Sequence, residues 1–399
     1  MKINKKYSLV ISFLLALMFI QLSFNHELWI DFWKTFNVPP QIPPFADLDA
    51  ISRALKSKLD GFDPYYNNPH DITKKLYTYT SLWIYIFEFL RLDLIRNFQI
   101  FSFIILFFYI YFFIQILNLI DDNKIKLFLI LLFFSTSNLL AIERLNTDIT
   151  IFILIYLMSI SNNYFAKLGI FFFSIYAKLF PIFAVFVFST KIRILISAIV
   201  ISLFLIFTLR HEINLILSNG LEYALLASHG VPSITKGFWY YSTKFNYFID
   251  DSNYLIFKYF IMSIVSLYGF IIFKLSFKFQ KKKLSQTMPI EDSLYICGSG
   301  IYLGRFITFG NFDYALIFLI FTIPYFLKNT NLRIRYIYFF TLLICFNSLF
   351  FEGGARYNLI YFTKASLIHF LKIVIFTINC LYFGKVLNSY INIKIKYIN

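Results

Sequence analysis

Charge is scarce in this sequence. Only 15% of its 399 residues are Asp, Glu, Lys or Arg, where a soluble domain carries roughly 25%. With 59% hydrophobic residues and a mean hydropathy of +0.68, the chain has too little polar surface to cover itself in water. A soluble globular protein is therefore excluded. Cysteine is nearly missing as well. Cys297, Cys345 and Cys380 lie in or beside apolar runs without Cys-x-x-Cys spacing, so packing is their expected role rather than a disulfide or a metal site. Gly-x-Gly-x-x-Gly, a Walker loop and His-Glu-x-x-His spacing are all missing, and no cofactor or metal is expected. No internal repeat, low-complexity linker or soluble domain interrupts the chain, which reads as a single transmembrane domain over 1–399.

What is abundant is apolar sequence of bilayer length. Runs at 98–120, 168–188, 192–209 and 254–277 each approach the roughly 20 residues that a spanning helix needs. Hydropathy spacing gives roughly eleven or twelve such runs, hence an all-α, polytopic integral membrane protein. Two runs, 77–90 and 149–160, are short for a span and predict either half-helices lining a cavity or an interfacial segment. The net charge of +16 would point to nucleic acid in a soluble protein. Here Lys2, Lys5 and Lys6 precede the first apolar run, and Lys278, Lys281, Lys282 and Lys283 follow the 254–277 run. That is positive-inside patterning, so membrane lipids and not nucleic acid are the expected contact. No small-residue cleavage site follows the first run, at 9–24, which reads as an uncleaved span with a cytoplasmic N-terminus. A first external loop then covers 26–75 and a second covers 210–253. The side of 143–148 depends on whether 77–90 crosses, and the sequence leaves both arrangements open.

The first loop holds the densest candidates. Ile51, Leu55 and Leu59 recur at i, i+4 and i+8, with Arg53, Lys56 and Lys58 off that face, predicting an amphipathic helix lying on the membrane. Asp47 is placed at its N-cap, with Gly61 and Asp63-Pro64 ending it. Asp47 is then either a cap alone or a base facing a lipid-linked substrate, with Asp49 as the alternate. Lys178, in the middle of the 168–188 run, costs about 2.5–3.5 kcal/mol to insert there. It either snorkels or faces a cavity as a functional cation. Arg305 and Asp313 flank an expected irregular stretch at 304–310, as an ion pair or a ligand site. His229 and His369 are lone histidines with an expected structural role.

Several of these segments resemble, in order, the GT-C class of glycosyltransferases that use polyprenyl-phosphate sugars, and in particular the family 87 (DUF2029-like) mannosyltransferases. The stretch from Asp47 to Ala54, then Gly61-Phe-Asp63-Pro64-Tyr65 and Tyr77-Thr-Tyr79, is similar to their first-loop pattern, with Thr80-Ser81 where two prolines stand in the family. Glu143-Arg144-Leu145-Asn146-Thr147-Asp148 resembles a Glu-Arg-Gly-Asn-x-Asp segment, with Leu145 in place of Gly. Ala166 to Gly169 and Ser174 to Pro181 resemble the Gly...Lys-x-x-Pro helix that follows, and Asn311-Phe-Asp313-Tyr314 resembles a downstream Asn-x-Asp-Tyr-Arg stretch, with Ala315 in place of Arg. The resemblance implies a GT-C-like bundle with a long first external loop, in the inner or plasma membrane of a bacterium. It also implies inverting transfer of a hexose, with mannose the expected sugar, from a polyprenyl-phosphate donor to a lipid-linked or glycan acceptor. Asp47 would be the base, and Lys178, Arg144, Asn146, Asp148, Arg305, Tyr65 and Tyr79 would bind donor phosphate or substrate. A polymerase or ligase of lipid-linked polysaccharide is the next expectation. A transporter or flippase follows, although the inverted halves expected of one are not seen.

Overall fold

The computed structural model describes residues 4–72, 74–219, 228–244, 251–277, 288–308, 311–351 and 359–398. The lysine cluster at 278–283 and Gly310 lie outside them. The chain groups into two compact units, one formed by Met1–Phe134, Asn138–Ile182 and Ser197–Leu221, the other by Ser135–Ser137, Phe183–Ile196 and Glu222–Asn399.

In chain order the first part of the molecule runs through α1 (Lys5–Ser23), α2 (His26–Thr35), α3 (Ala46–Leu59), α4 (Ser81–Phe89), α5 (Ile95–Asn118), α6 (Asn123–Phe133), α7 (Thr136–Arg144), α8 (Thr147–Ile160) and α9 (Tyr164–Ala177). A 3-10 helix, Phe180–Phe188, leads to α10 (Ile192–Thr208) and α11 (Arg210–Ser218). Asn and Asp mark many of the helix starts. Asn4, Asn25, Asp122, Asn146 and Asn163 each accept a backbone N–H of the first turn on the side chain, satisfying a donor the helix itself leaves unpaired. α1 packs on α5, α5 on α8, α8 on α9 and α3 on α4.

The second part holds β1 (Ser228–His229), α12 (Val231–Lys244), α13 (Asp251–Ser276), α14 (Ile290–Thr308), β2 (Asn311–Phe312), a 3-10 helix Asp313–Thr322, α15 (Ile323–Asn329), α16 (Leu332–Phe346), a short 3-10 turn Ser348–Phe351 and α17 (Leu359–Ile398). β1 and β2 form a small antiparallel bridge pairing Ser228 with Phe312 and His229 with Asn311. The 3-10 segment packs against α14, and α13, α14 and α16 pack on α17. Residues of α13 such as Leu255, Ile256, Phe260, Leu267 and Phe270 are exposed, the outward apolar surface that suits lipid rather than water.

Among the described residues the fold is thus all-α apart from that bridge. Among the described residues four helices are long and apolar enough to cross a membrane, Lys5–Ser23, Ile95–Asn118, Asn253–Ser276 and Ile360–Tyr390. Two bent pairs, Asn123–Phe133 with Thr136–Arg144 and Ile192–Thr208 with Arg210–Ser218, bring the number to six if each is one span. Continuous spans are fewer than apolar runs because several runs are broken. The 77–90 run yields only the nine residues of α4, and 168–188 is divided between α9 and the 3-10 helix.

Within the first loop α2 buries Trp29 and Trp33, with Trp33 stacked on Phe19 at 5.7 Å and Trp29 edge-on to Phe45 at 5.1 Å. Two local expectations are corrected. The apolar face of α3 does not lie on lipid: Leu48, Ile51, Ala54 and Leu55 are fully buried in protein and only Leu59 is exposed. The 304–310 stretch is helical through Thr308 as the end of α14.

Candidate functional site

Two helix ends build the site in the first unit. α7 closes with Asn146 N–H on the Ala141 carbonyl and Leu145 N–H on the Ile142 carbonyl, the paired bonds of a Schellman ending. That closure needs a left-handed residue at its turn, and Leu145 supplies it at φ 44°. A glycine would adopt this conformation without a Cβ penalty, so leucine holds it here at a cost. α3 ends the same way, with Gly61 at φ 87°, its N–H on Lys58 O and Phe62 N–H on Ser57 O. Directly after the α7 turn, Asn146 caps α8 by accepting Asp148 N–H at 2.9 Å. One residue therefore ends one helix and starts the next, and its side chain is held at the junction.

Asp47 reaches that junction from α3. It lies within the first turn rather than at the cap; the capping position is Phe45, which makes no side-chain cap bond. The expected capping role fails because Phe45 is left-handed, at φ 59° and ψ 41°, and its N–H is used by the Glu143 carbonyl. Gln41 N–H donates to Glu143 Oε1 at 2.6 Å, Arg144 Nη2 donates to the Pro39 carbonyl at 3.3 Å, and Arg144 pairs with Glu143 at 2.8 Å. These contacts stitch 39–47 to 143–146. Two non-glycine residues in left-handed backbone, Phe45 and Leu145, thus flank the place where Asp47 meets Asn146. Such strain persists only where the surroundings over-determine it, and it collects at functional sites.

The cation comes from the break after α9. Pro181 has no N–H, so the Ala177 carbonyl cannot receive its helical bond. Thr80 Oγ1 and Trp83 Nε1 donate to it instead, at 3.2 and 2.9 Å. Lys178 follows in extended backbone, φ −162° and ψ 129°, so it does not stand mid-helix as the continuous apolar run predicts. Its ammonium donates to Asp148, to Thr147 Oγ1 at 3.0 Å and to Asn146 Oδ1 at 3.3 Å. It also lies 5.8 Å from the Tyr79 ring centre. Asn146 Nδ2 donates to Asp47 Oδ2, so one amide holds a carboxylate on one side and an ammonium on the other. The Lys178 side chain is 23% exposed while Asp148 is fully buried.

Burial pushes the Asp47 carboxyl above its ordinary value of 3.8, opposed by Arg144, the Asn146 bond and Lys178, and reinforced by Asp148. Asp49 is raised by burial too, opposed by its bond to Arg53, which it meets as an ion pair within α3. Asp49 is therefore turned toward its own helix and not toward Asn146. Tyr65 donates its hydroxyl to the Tyr79 carbonyl at 2.8 Å and to Glu212 Oε1 at 3.1 Å, and burial together with Glu212 raises its pKa.

The structure thus gathers Asp47, Arg144, Asn146, Asp148, Lys178 and Tyr79 in one unit, with Tyr65 attached through Tyr79. Arg305 belongs to the second unit, where it lies buried in α14 with its guanidinium 6.0 Å from the Phe318 ring centre. Thr147 and Glu212 are absent from the set the sequence suggests. Glu212 accepts from residues about 130 positions earlier, which no local pattern can signal.

A second polar cluster lies in the second unit. Lys372 donates to both oxygens of Asp313 at 2.8 Å and to the Ser228 carbonyl at 2.7 Å. Ser348 donates to Asp313, and His229 Nδ1 stands 3.7 Å from the same carboxylate. His229 is stacked on Tyr302, whose hydroxyl bonds the Lys372 carbonyl at 2.9 Å. His229 is therefore not a lone histidine. Lys372 was legible as an ionisable residue inside an apolar run, the criterion that singles out Lys178.

Comparison of the chain with protein-family models, curated proteins and solved structures returns no match.

Proposed function

We propose that the chain is a membrane glycosyltransferase of the GT-C kind, moving a hexose, with mannose the expected sugar, from a polyprenyl-phosphate donor to a lipid-linked or glycan acceptor. One observation supports this reading above the others: the Asp47 carboxylate and the partly accessible Lys178 ammonium are gripped by the same Asn146 amide. A base and a cation held at fixed separation are what inverting transfer from a phosphate leaving group requires. Asp47 removes the proton of the acceptor hydroxyl and the freed oxygen bonds the anomeric carbon. The bond from that carbon to the phosphate oxygen breaks, its electron pair leaving with the polyprenyl phosphate. Lys178, with Arg144 nearby, stabilises the charge that builds on that phosphate, while burial of Asp47 raises its basicity above that of a free carboxylate. In this reading the chain is a bundle of roughly eleven or twelve spans with a cytoplasmic N-terminus, and the site faces the opposite side.

Membranes holding the full chain, supplied with polyprenyl phosphate bearing a labelled sugar, test the proposal. Wild type is expected to transfer the label and Asp47→Asn to lose about 10²–10⁴-fold in rate, the usual contribution of a general base. Equal rates for the two would remove Asp47 from the mechanism. A reporter near Asn67 found on the cytoplasmic side would sink the orientation.

A further inference from the structure

We infer that Glu212 is a positioning residue for the Lys178 ammonium, acting at a distance through the start of α4. The inference rests on the proposed use of Lys178 as the cation that meets a phosphate headgroup. Glu212, half-buried on α11, accepts Ser81 N–H and, at 3.0 Å, Ser81 Oγ, together with the Tyr65 hydroxyl at 3.1 Å. Ser81 is the first residue of α4, so its N–H is one of the donors that the helix cannot satisfy. Thr80, just before it, makes no side-chain cap bond, because its hydroxyl is spent on the Ala177 carbonyl. The carboxylate from α11 therefore does the capping that α4 lacks locally.

What α4 and its approach then hold is the break beneath Lys178. Thr80 Oγ1 and Trp83 Nε1 are the donors on the Ala177 carbonyl, one residue ahead of the lysine. Asn219, at the end of α11, adds bonds to the carbonyls of Tyr65 at 2.9 Å and Tyr77 at 3.4 Å. α11 thus pins 65–81, and 80–83 pins the end of α9 from which Lys178 departs. Removing the carboxylate leaves Ser81 N–H without its acceptor and lets the start of α4 drift. The carbonyl clamp on Ala177 then loosens, and Lys178 leaves its set position beside Asn146.

Chain geometry supplies a rescue that a loosely structural role would not predict. Thr80 has φ −70° and ψ 151°, the extended conformation that a following proline requires. Position N1 of a helix is where proline is best tolerated, since it has no N–H to satisfy and fixes φ near the helical value. Ser81→Pro should therefore hold the start of α4 without help from Glu212.

The test uses the full chain in lipid nanodiscs, with a long-chain polyprenyl phosphate as the binding probe. A ligand-independent readout is the rate at which Lys178 is acylated by an amine-reactive reagent, followed by mass spectrometry. Glu212→Ala is expected to weaken probe binding about tenfold and to change Lys178 acylation several-fold. Glu212→Gln, which keeps an acceptor oxygen for Ser81, should stay within about threefold of wild type. Ser81→Pro alone should be near wild type, and Glu212→Ala combined with Ser81→Pro should recover both readouts. A double variant as impaired as Glu212→Ala, in binding, in labelling or in failing to fold, overturns the inference. Wild type that does not bind the probe overturns the proposed function instead, while the acylation rates still decide whether Glu212 sets Lys178.

Discussion

The molecule contains two lysine–aspartate pairs in apolar surroundings, and they are built to different ends. Lys372 and Asp313 are both fully buried, and the ammonium has three acceptors within 2.8 Å, two from Asp313 and one from Ser228. The pair fastens α17 to β1 and to the 3-10 helix that opens at Asp313, within its own unit. Lys178 also pairs with a fully buried carboxylate, Asp148, but keeps 23% of its side chain exposed. It leaves a broken helix end and shares Asn146 with a second carboxylate. The closed pair is sealed from any ligand, whereas the accessible ammonium is the one that the proposed function assigns to a phosphate headgroup. Burial of an ion, the sequence-level signal, therefore does not by itself separate the two roles. Each ammonium has three fixed acceptors, so it is the residual access that differs, 23% of the Lys178 side chain against none of Lys372.

Breaking the closed pair should have the largest effect. Lys372→Met strands the Asp313 charge in the core, a change that costs about 3–5 kcal/mol when one partner of a buried pair is removed. Thermal unfolding of the detergent-purified chain should show that loss, and adding Asp313→Leu should recover most of it. A Lys372→Met protein of wild-type midpoint would mean that the pair is not closed. The open pair should invert this pattern. Both carboxylates stand in the first turn of a helix, but the Lys178 side chain reaches solvent and that of Lys372 does not, so Lys178→Met should lower the midpoint less than Lys372→Met does. Binding of a polyprenyl phosphate should nevertheless fall by more than tenfold, or about 1.4 kcal/mol. Unchanged binding in Lys178→Met would make both pairs structural.

One side of this contrast was legible in the sequence, where Lys178 stood out while Asp313 was set beside Arg305 and not with Lys372, and the missing part has physical causes. Apolar runs announce helices, and Lys178 was conspicuous as a charge within one. The run around it read as continuous because Phe, Ile and Leu extend through the break; Pro181 was the one mark of it, and its consequence, an orphaned Ala177 carbonyl, appears only in three dimensions. Asp47 and Asn146 belong to segments that the resemblance names, yet their separation of 99 positions hides their contact. Leu145 carries no sign of its left-handed backbone, since leucine rarely adopts it. The amphipathic pattern of α3 was correct in phase, but periodicity does not say whether an apolar face meets lipid or protein.

Acidity sharpens the comparison further, because Asp47 is the carboxylate that the open pair shares through Asn146. Its folded pKa is raised by burial above the ordinary 3.8, against the opposing influence of Arg144, the Asn146 bond and Lys178. Between those two values the folded state binds more proton than the unfolded chain, so this group's contribution to stability falls as pH rises through the window. It is most favourable below 3.8, where both states are protonated. The difference in unfolding midpoint between wild type and Asp47→Asn should change across that window and flatten above it. The acid limb of transfer should likewise lie above the ordinary carboxylate range, since the base works only when ionised. A limb at or below 3.8 would contradict the burial of Asp47.

Asp49→Asn should have the smallest effect, and it discriminates because the two carboxylates stand only two positions apart on α3. Such a spacing turns the side chains to different faces of a helix. Asp49 is committed to Arg53 at i+4, and Arg53 also donates to the His70 carbonyl at 3.2 Å. Both partners of this pair are about a quarter exposed, and pairs of this kind on a helix contribute about 0.3–0.5 kcal/mol. Asn at position 49 keeps an acceptor for Arg53 and leaves Asn146 and Lys178 untouched. The expected result is a midpoint shift of no more than about 0.5 kcal/mol and a transfer rate within about twofold of wild type, set against the losses of Asp47→Asn. The two variants share a helix turn and a charge change, so general electrostatics at the start of α3 would slow both alike. Contact with Asn146, beside Arg144 and Lys178, separates Asp47 from an Asp49 committed to Arg53. Equal losses would shift the explanation from that contact to the summed charge, and a larger loss in Asp49→Asn would move the base to Asp49.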